Sequence, residues 1–257
     1  MTDSNSIQPM DSNHFQAEPT IPQCVMSIHA HPDDQEFTTA GTLAKWAKGG
    51  SRIISLIITS GDAGSNDPHH DESYKFILTE LREKEQLAAN SIIGVADTVF
   101  LRYPDGTLQP TLELRRDITR LIRKYRPDVV ISGDPTVRFY GNTYINHPDH
   151  RAAADAACDA VFPSAGTRLI FTELLQEGYE PHEVKYLFLH GSSKPNTWID
   201  ISSTIELKIK ALLQHKSQIE GEDVGKGIRE WGTEDAKEHG MQYAESFLRM
   251  ILVSEPK

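Results

Sequence analysis

The chain has 257 residues, enough for one large α/β domain whose core needs no disulfide staples. Its 37 acidic and 26 basic residues give a formal charge of −11, which repels phosphate backbones and argues against nucleic acid as a partner. No apolar run approaches the ~20 residues that cross a bilayer. Without an anchor or an apolar leader, Cys24 and Cys158 read as reduced thiols of a cytoplasmic protein.

Residues 1–20 are polar and aperiodic, and are expected to form a disordered tail ahead of a single domain over 21–257. Cys24–His29 is an apolar run that predicts a first strand, followed by a polar turn and a helix over 39–48. Arg52–Thr59 carries Ile53, Ile54, Leu56, Ile57 and Ile58, which predict a strand buried on both faces. A long helix follows over Tyr74–Ile93, with Gly94 as its C-terminal cap. Strands over 98–101, 128–132 and 184–189 then alternate with helices over 112–124, 148–161 and 204–215, and a last helix is expected over 236–251. Within 115–126 the Arg and Lys side chains are interrupted by Ile118, Leu121 and Ile122 at helical spacing, and read as the wet face of an amphipathic helix. The alternation predicts an α/β fold, a Rossmann-like three-layer sandwich with a mainly parallel sheet.

Ligands in such sheets bind beyond the carboxyl ends of the strands. Ala30-His31-Pro32-Asp33-Asp34 follows the first strand, and His147-Pro148-Asp149-His150 enters a helix after the fourth. A dinucleotide site would place a Gly-rich turn after the first strand; Gly61 and Gly64 come later and lack the fingerprint spacing. Each His-Pro-Asp segment alone fits a helix start, with Pro in the first turn and Asp as a cap. Two of them at matching strand ends hold more imidazole and carboxylate groups than capping uses. A catalytic zinc takes about three nitrogen or oxygen ligands and keeps an open position. Two histidines and one carboxylate meet that need, and leave an Asp and a His to accept a proton and support developing charge.

These residues resemble the LmbE-like, or GlcNAc-phosphatidylinositol de-N-acetylase (PIG-L), family of zinc deacetylases. The likeness runs through Ala30-His31-Pro32-Asp33-Asp34-Gln35-Glu36, Ala40-Gly41-Thr42-Leu43 and Thr59-Ser60-Gly61-Asp62-Ala63-Gly64. It continues at Arg82, Glu85, Gly94-Val95, Asp105, His147-Pro148-Asp149-His150 and His215-Lys216-Ser217-Gln218, and ends in Ala244-Glu245-Ser246-Phe247, which resembles the family's closing helix. The resemblance implies that His31, Asp34 and His150 hold zinc, with Asp33 as general base. It implies that His147 stabilises the oxyanion or protonates the amine, and that Arg82 and Asp105 contact sugar hydroxyls. The implied reaction removes acetyl from an N-acetylated amino sugar or conjugate. An amidase acting on a thiol-sugar conjugate, or a metal- or carbohydrate-binding relative without turnover, is the alternative.

The chain departs from the family at Ile145, where some members place a tyrosine two residues before the second motif; Arg138, Tyr140 and Tyr144 stand nearby. His29 is read as a supporting or core group, His69 and His70 as loop residues near the site mouth, and His215 as a donor to the carbonyls ending a helix. Loops over 66–73, 102–110, 135–144 and 221–240 are expected to set the substrate, the last as a lid or an assembly contact. Family members often form homo-oligomers, which leaves that state open here. His and carboxylate ligands accept several divalent ions, so the metal's identity also stays open.

Overall fold

A computed structural model describes residues 20–219 and 223–253, so the expected tail lies almost wholly outside the described residues. The first half of the chain holds β1 (Cys24–His29), α1 (Asp34–Thr38), α2 (Ala40–Lys48), β2 (Arg52–Thr59), α3 (Tyr74–Ile93), β3 (Asp97–Tyr103), α4 (Leu112–Tyr125) and β4 (Val129–Gly133). A hairpin of β5 (Phe139–Tyr140) and β6 (Tyr144–Ile145) leads to α5 (Pro148–Asp159), which runs into a π-helical turn at Ala160–Ala165. Then come α6 (Glu173–Gln176), β7 (Tyr186–His190), β8 (Thr197–Asp200), α7 (Ile205–Leu212), α8 (Val224–Ala236) and β9 (Ala244–Ile251).

Seven strands form one sheet in the order β3-β2-β1-β4-β7-β9-β8. The first five are parallel, and β9 runs antiparallel to both neighbours. Successive side chains point to opposite faces. Met26, Ile28, Leu56 and Val130 therefore pack against α4 and α5, through Ile118, Ile122 and Ala153. Val25, Ile53 and Ile131 pack against α2, α3 and α7, through Leu43, Ala89 and Ile209. Both faces are covered, which is why the central strands read as nearly continuous apolar runs. Trp46 of α2 is fully buried and meets Phe188 of β7 edge to face at 5.6 Å, a contact whose loss on truncation to Ala costs about 3–5 kcal/mol. The order reverses between β1 and β4, so a crevice opens between their carboxyl ends.

Three sequence expectations are corrected. Residues 244–251 form β9 rather than a closing helix. Ala244, Phe247 and Ile251 sit at helical spacing, but pairing with β7 and β8 satisfies the backbone on both sides and overrides that local pattern. The helix of this region is α8, inside the stretch read as a Gly-rich loop. Its glycines permit close packing: a Cβ on Gly225 would lie 3.1 Å from Ile209, and one on Gly232 3.4 Å from Tyr243. Finally, Arg123 does not belong to a wet face. It is 2% exposed, and its guanidinium donates to the carbonyls of Ser164, Ala165, Thr167 and Ile170 at 2.9–3.1 Å.

Candidate active site

The crevice between β1 and β4 brings the two His-Pro-Asp segments together. His31 lies in the bend just after β1, and Asp34 opens α1. His147 is the N-cap of α5, which places His150 in the first turn of that helix. Three side chains converge: His31 Nδ1 lies 3.2 Å from His150 Nε2 and 3.4 Å from Asp34 Oδ2, while His150 Nε2 lies 3.0 Å from Asp34 Oδ1. An ion about 2.0–2.2 Å from tetrahedral ligands separates those ligands by about 3.4 Å.

The far sides of both rings favour the same arrangement. His31 Nε2 faces Asp105 Oδ1 at 3.0 Å and Asp149 Oδ2 at 3.4 Å, and His150 Nδ1 faces Asn146 Oδ1 at 3.2 Å. Those acceptors take a ring proton on the far side of each imidazole, so with both rings neutral two nitrogen lone pairs and one carboxylate would point at a common position. That donor set fits a divalent metal. His31, His147 and His150 also present ring nitrogens within 4.8 Å of one another, as do His31, Asp105 and Asp149 their ligand atoms. The His31, Asp34 and His150 atoms stand 3.0–3.4 Å apart around a third such position.

The electrostatics point the same way. Burial opposes charge on His31, yet Asp34, Asp105 and Asp149 raise it to about 12. Burial also opposes charge on Asp34, but His150 and His31 hold it well below the ordinary carboxylate range. Asp33 differs. Burial and the neighbouring Asp34 push its carboxyl up to about 7, against the pull of Arg82. Its backbone is left-handed, with φ 93°, a strained state for a residue with a Cβ.

Several groups hold Asp33 there. Arg82, 4% exposed, donates to Pro32 O at 2.7 Å, Gly61 O at 3.0 Å and Asp33 Oδ2 at 3.2 Å. Gly61 is required for this approach: its φ is +67°, and a Cβ would lie 2.2 Å from the Arg82 guanidinium. The Asp33 N–H donates to Gln86 Oε1 at 3.1 Å, Gln86 Nε2 donates to Glu36 Oε1 at 3.0 Å, and Glu36 Oε2 meets His215 Nε2 at 3.1 Å. The sequence reading missed Glu36 and Gln86. The available signal was that Gln86 lies four residues after Arg82, on the same face of one helix.

The remaining expected residues fall as follows. Arg82 and Asp105 both have protein partners, Asp105 accepting from Ala63 N at 2.9 Å besides facing His31. Asp149, to which no role was assigned, is fully buried and accepts from Gly106 N at 2.7 Å and Leu108 N at 3.1 Å. His147 Nδ1 accepts from Asp149 N at 3.3 Å, leaving Nε2 to carry the proton, and burial with the neighbouring His31 and His150 lowers its pKa. His29 is buried, 2.8 Å from Ser27 Oγ and stacked on His190. His215 turns to Glu36 instead of to helix carbonyls. His70 stacks on Tyr74 at 3.4 Å. Ile145 is exposed, while Tyr140 and Tyr144, 6.1 Å apart, line the cavity wall. That cavity, about 1040 Å³, extends from Asp33, Asp34 and His150 to α8.

A family model described as PIG-L, GlcNAc-PI de-N-acetylase, matches residues 26–161, just over half of the chain. The chain belongs to this family. A diacetylchitobiose deacetylase of Thermococcus kodakarensis is 33% identical over 194 residues, 76% of this chain and 69% of that protein. A 1D-myo-inositol 2-acetamido-2-deoxy-alpha-D-glucopyranoside deacetylase of Kineococcus radiotolerans is 30% identical over 56% of this chain and 46% of its own length. The solved structure of N,N'-diacetylchitobiose deacetylase from Pyrococcus horikoshii, complexed with an inhibitor, superposes with a TM-score of 0.82 at 29% identity, over 90% of this chain and 84% of that one. As a GlcNAc-PI de-N-acetylase family member, the chain is a metal-dependent N-deacetylase. Among the described residues no helix is long and apolar enough to cross a membrane.

Proposed function

We propose that this enzyme hydrolyses the N-acetyl amide of an N-acetylated amino sugar or sugar conjugate, with zinc held by His31, Asp34 and His150. The observation that carries the reading is the convergence of His31 Nδ1, His150 Nε2 and the Asp34 carboxylate within 3.0–3.4 Å, with Asp33 beside them. The substrates named for the relatives, diacetylchitobiose and an acetamido-glucopyranoside, support the amino-sugar class.

A divalent ion at this position supplies an acidified water and polarises the amide oxygen. Asp33 accepts the proton of the attacking water. Its carboxyl, pushed up to about 7 in the metal-free protein and lowered from there by a bound cation, takes a proton and then returns it. Arg82 and Gln86 orient that carboxyl through its side chain and its backbone N–H. His147 donates Nε2–H to the oxygen that gains charge, a contribution of about 3 kcal/mol. Its lowered pKa makes it a neutral donor. The proton on Asp33 passes to the leaving nitrogen as the C–N bond breaks, which frees the amine and acetate.

The test is acetate release from a panel of N-acetylated amino sugars, including a thiol-sugar conjugate, by metal-stripped protein with and without zinc. Zinc-restored release supports the reading. Metal uptake without release across the panel would instead favour another amide or a binding role.

A further inference from the structure

The cavity does not stop at the reacting groups. Its volume of about 1040 Å³ reaches Ile228 and Trp231 on α8, at the upper end of the ~300–1,000 Å³ usual for small-molecule clefts. A single acetamido ring placed at the Asp33, Asp34 and His150 end leaves the α8 end of that volume unfilled. That end has its own composition. Trp231 is 62% exposed, on the rim, with the Phe37 ring 6.5 Å away and inclined by 50°. Asp235, one turn further along α8, also lines the cavity, anchored by Ser246 N at 3.2 Å and Ser246 Oγ at 2.9 Å. The face of an indole is electron-rich and attracts the polarised C–H face of a sugar ring, and a fixed carboxylate accepts its hydroxyls.

We infer that Trp231, Phe37 and Asp235 form a second subsite, which binds the next pyranose ring of an oligosaccharide or glycosyl conjugate. The placement of the reacting ring rests on the deacetylase reading above. Trp231 then sets specificity by contact with a ring that does not react, so its contribution falls on binding and leaves bond breaking alone.

The experiment compares zinc-loaded wild type, Trp231→Ala and Trp231→Phe on N-acetylglucosamine and on N,N'-diacetylchitobiose. Because Trp231 is on the rim, its truncation leaves the fold intact. Trp231→Ala should raise KM for the disaccharide about tenfold, the size of one hydrophobic contact, with kcat and the monosaccharide kinetics unchanged, and Trp231→Phe should restore most of the loss. An equal loss on both substrates, or none on the disaccharide, would overturn the subsite. Calorimetry with N,N'-diacetylchitobiose on zinc-loaded Asp33→Asn protein separates the two claims. If no sugar is hydrolysed but disaccharide binding weakens in Trp231→Ala, the subsite stands and the deacetylase reading falls. If the disaccharide does not bind, or binds equally well without the indole, the subsite falls whatever the hydrolysis shows.

Discussion

At the amino ends of β1 and β4, Asp128 accepts from the N–H groups of Gln23 and Cys24 at 3.2 Å each and pairs with Lys185 at 2.8 Å. Burial opposes its charge, but those donors hold its pKa below the usual range. At the carboxyl ends of the same sheet, Asp33 sits at φ 93° with its carboxyl pushed up to about 7. The first aspartate is relaxed in its ionised form and ties two strands together. The second is held where ionisation is costly, by neighbours that over-determine its position, and such strain clusters at sites of chemistry. The difference lies in the surroundings, since the side chain is the same.

The comparison can be broken from its carboxyl end. Asp34→Ala removes one converging ligand and leaves two lone-pair nitrogens, so bound zinc and acetate release should both fall to background, as read by metal analysis and assay. Asp33→Asn should keep the metal and lower kcat by about 10²–10⁴; retained turnover would remove Asp33 from the role of base. The pH profile carries the same claim. Asp33 accepts a proton only when ionised, so kcat should fall as pH drops through its pKa, and the positive ion moves that limb below the value of about 7 in the metal-free protein. Because its folded pKa is raised, ionising Asp33 costs stability as pH rises from ~4 through about 7, so in metal-free protein Asp33→Asn should be neutral or stabilising above that window.

Smaller effects sharpen the contrast. His147→Ala should cost about 10²–10³ in kcat with zinc retained; a change confined to KM would reassign it to substrate binding. Gln86→Leu removes the acceptor for the Asp33 N–H and should lower kcat about tenfold, the lower range for groups that orient a metal centre. Asp128→Asn should leave kcat alone and cost ~1 kcal/mol near neutral pH. Its folded pKa is lowered, so that stabilisation is present above the unfolded value of ~3.9 and fades as pH falls through the folded one. Denaturant curves of variant and wild type should therefore converge in acid.

Much of this was legible from local pattern. β1, β2 and α3 fall where apolar runs, β-branched density and the Gly94 cap placed them. β8 and β9 were not, because the four residues of the edge strand and the eight between it and β7 take their state from the strands beside them. Within the site, the two His-Pro-Asp motifs advertised imidazoles and carboxylates by composition. Nothing in the composition distinguished Arg82, buried against Asp33, from an arginine facing substrate, and nothing linked Glu36 to His215 across 179 positions.

By itself the sequence determined the alternating strands and helices, the placing of two polar motifs after β1 and β4, and the family, since these follow from short-range periodicity and residue type. Only the tertiary structure decided which nitrogen of each histidine faces the common position, how far Asp33 is strained and raised, and where Trp231 lies on the cavity rim. Those depend on distances between segments remote along the chain, and on the burial that sheet order and helix packing impose.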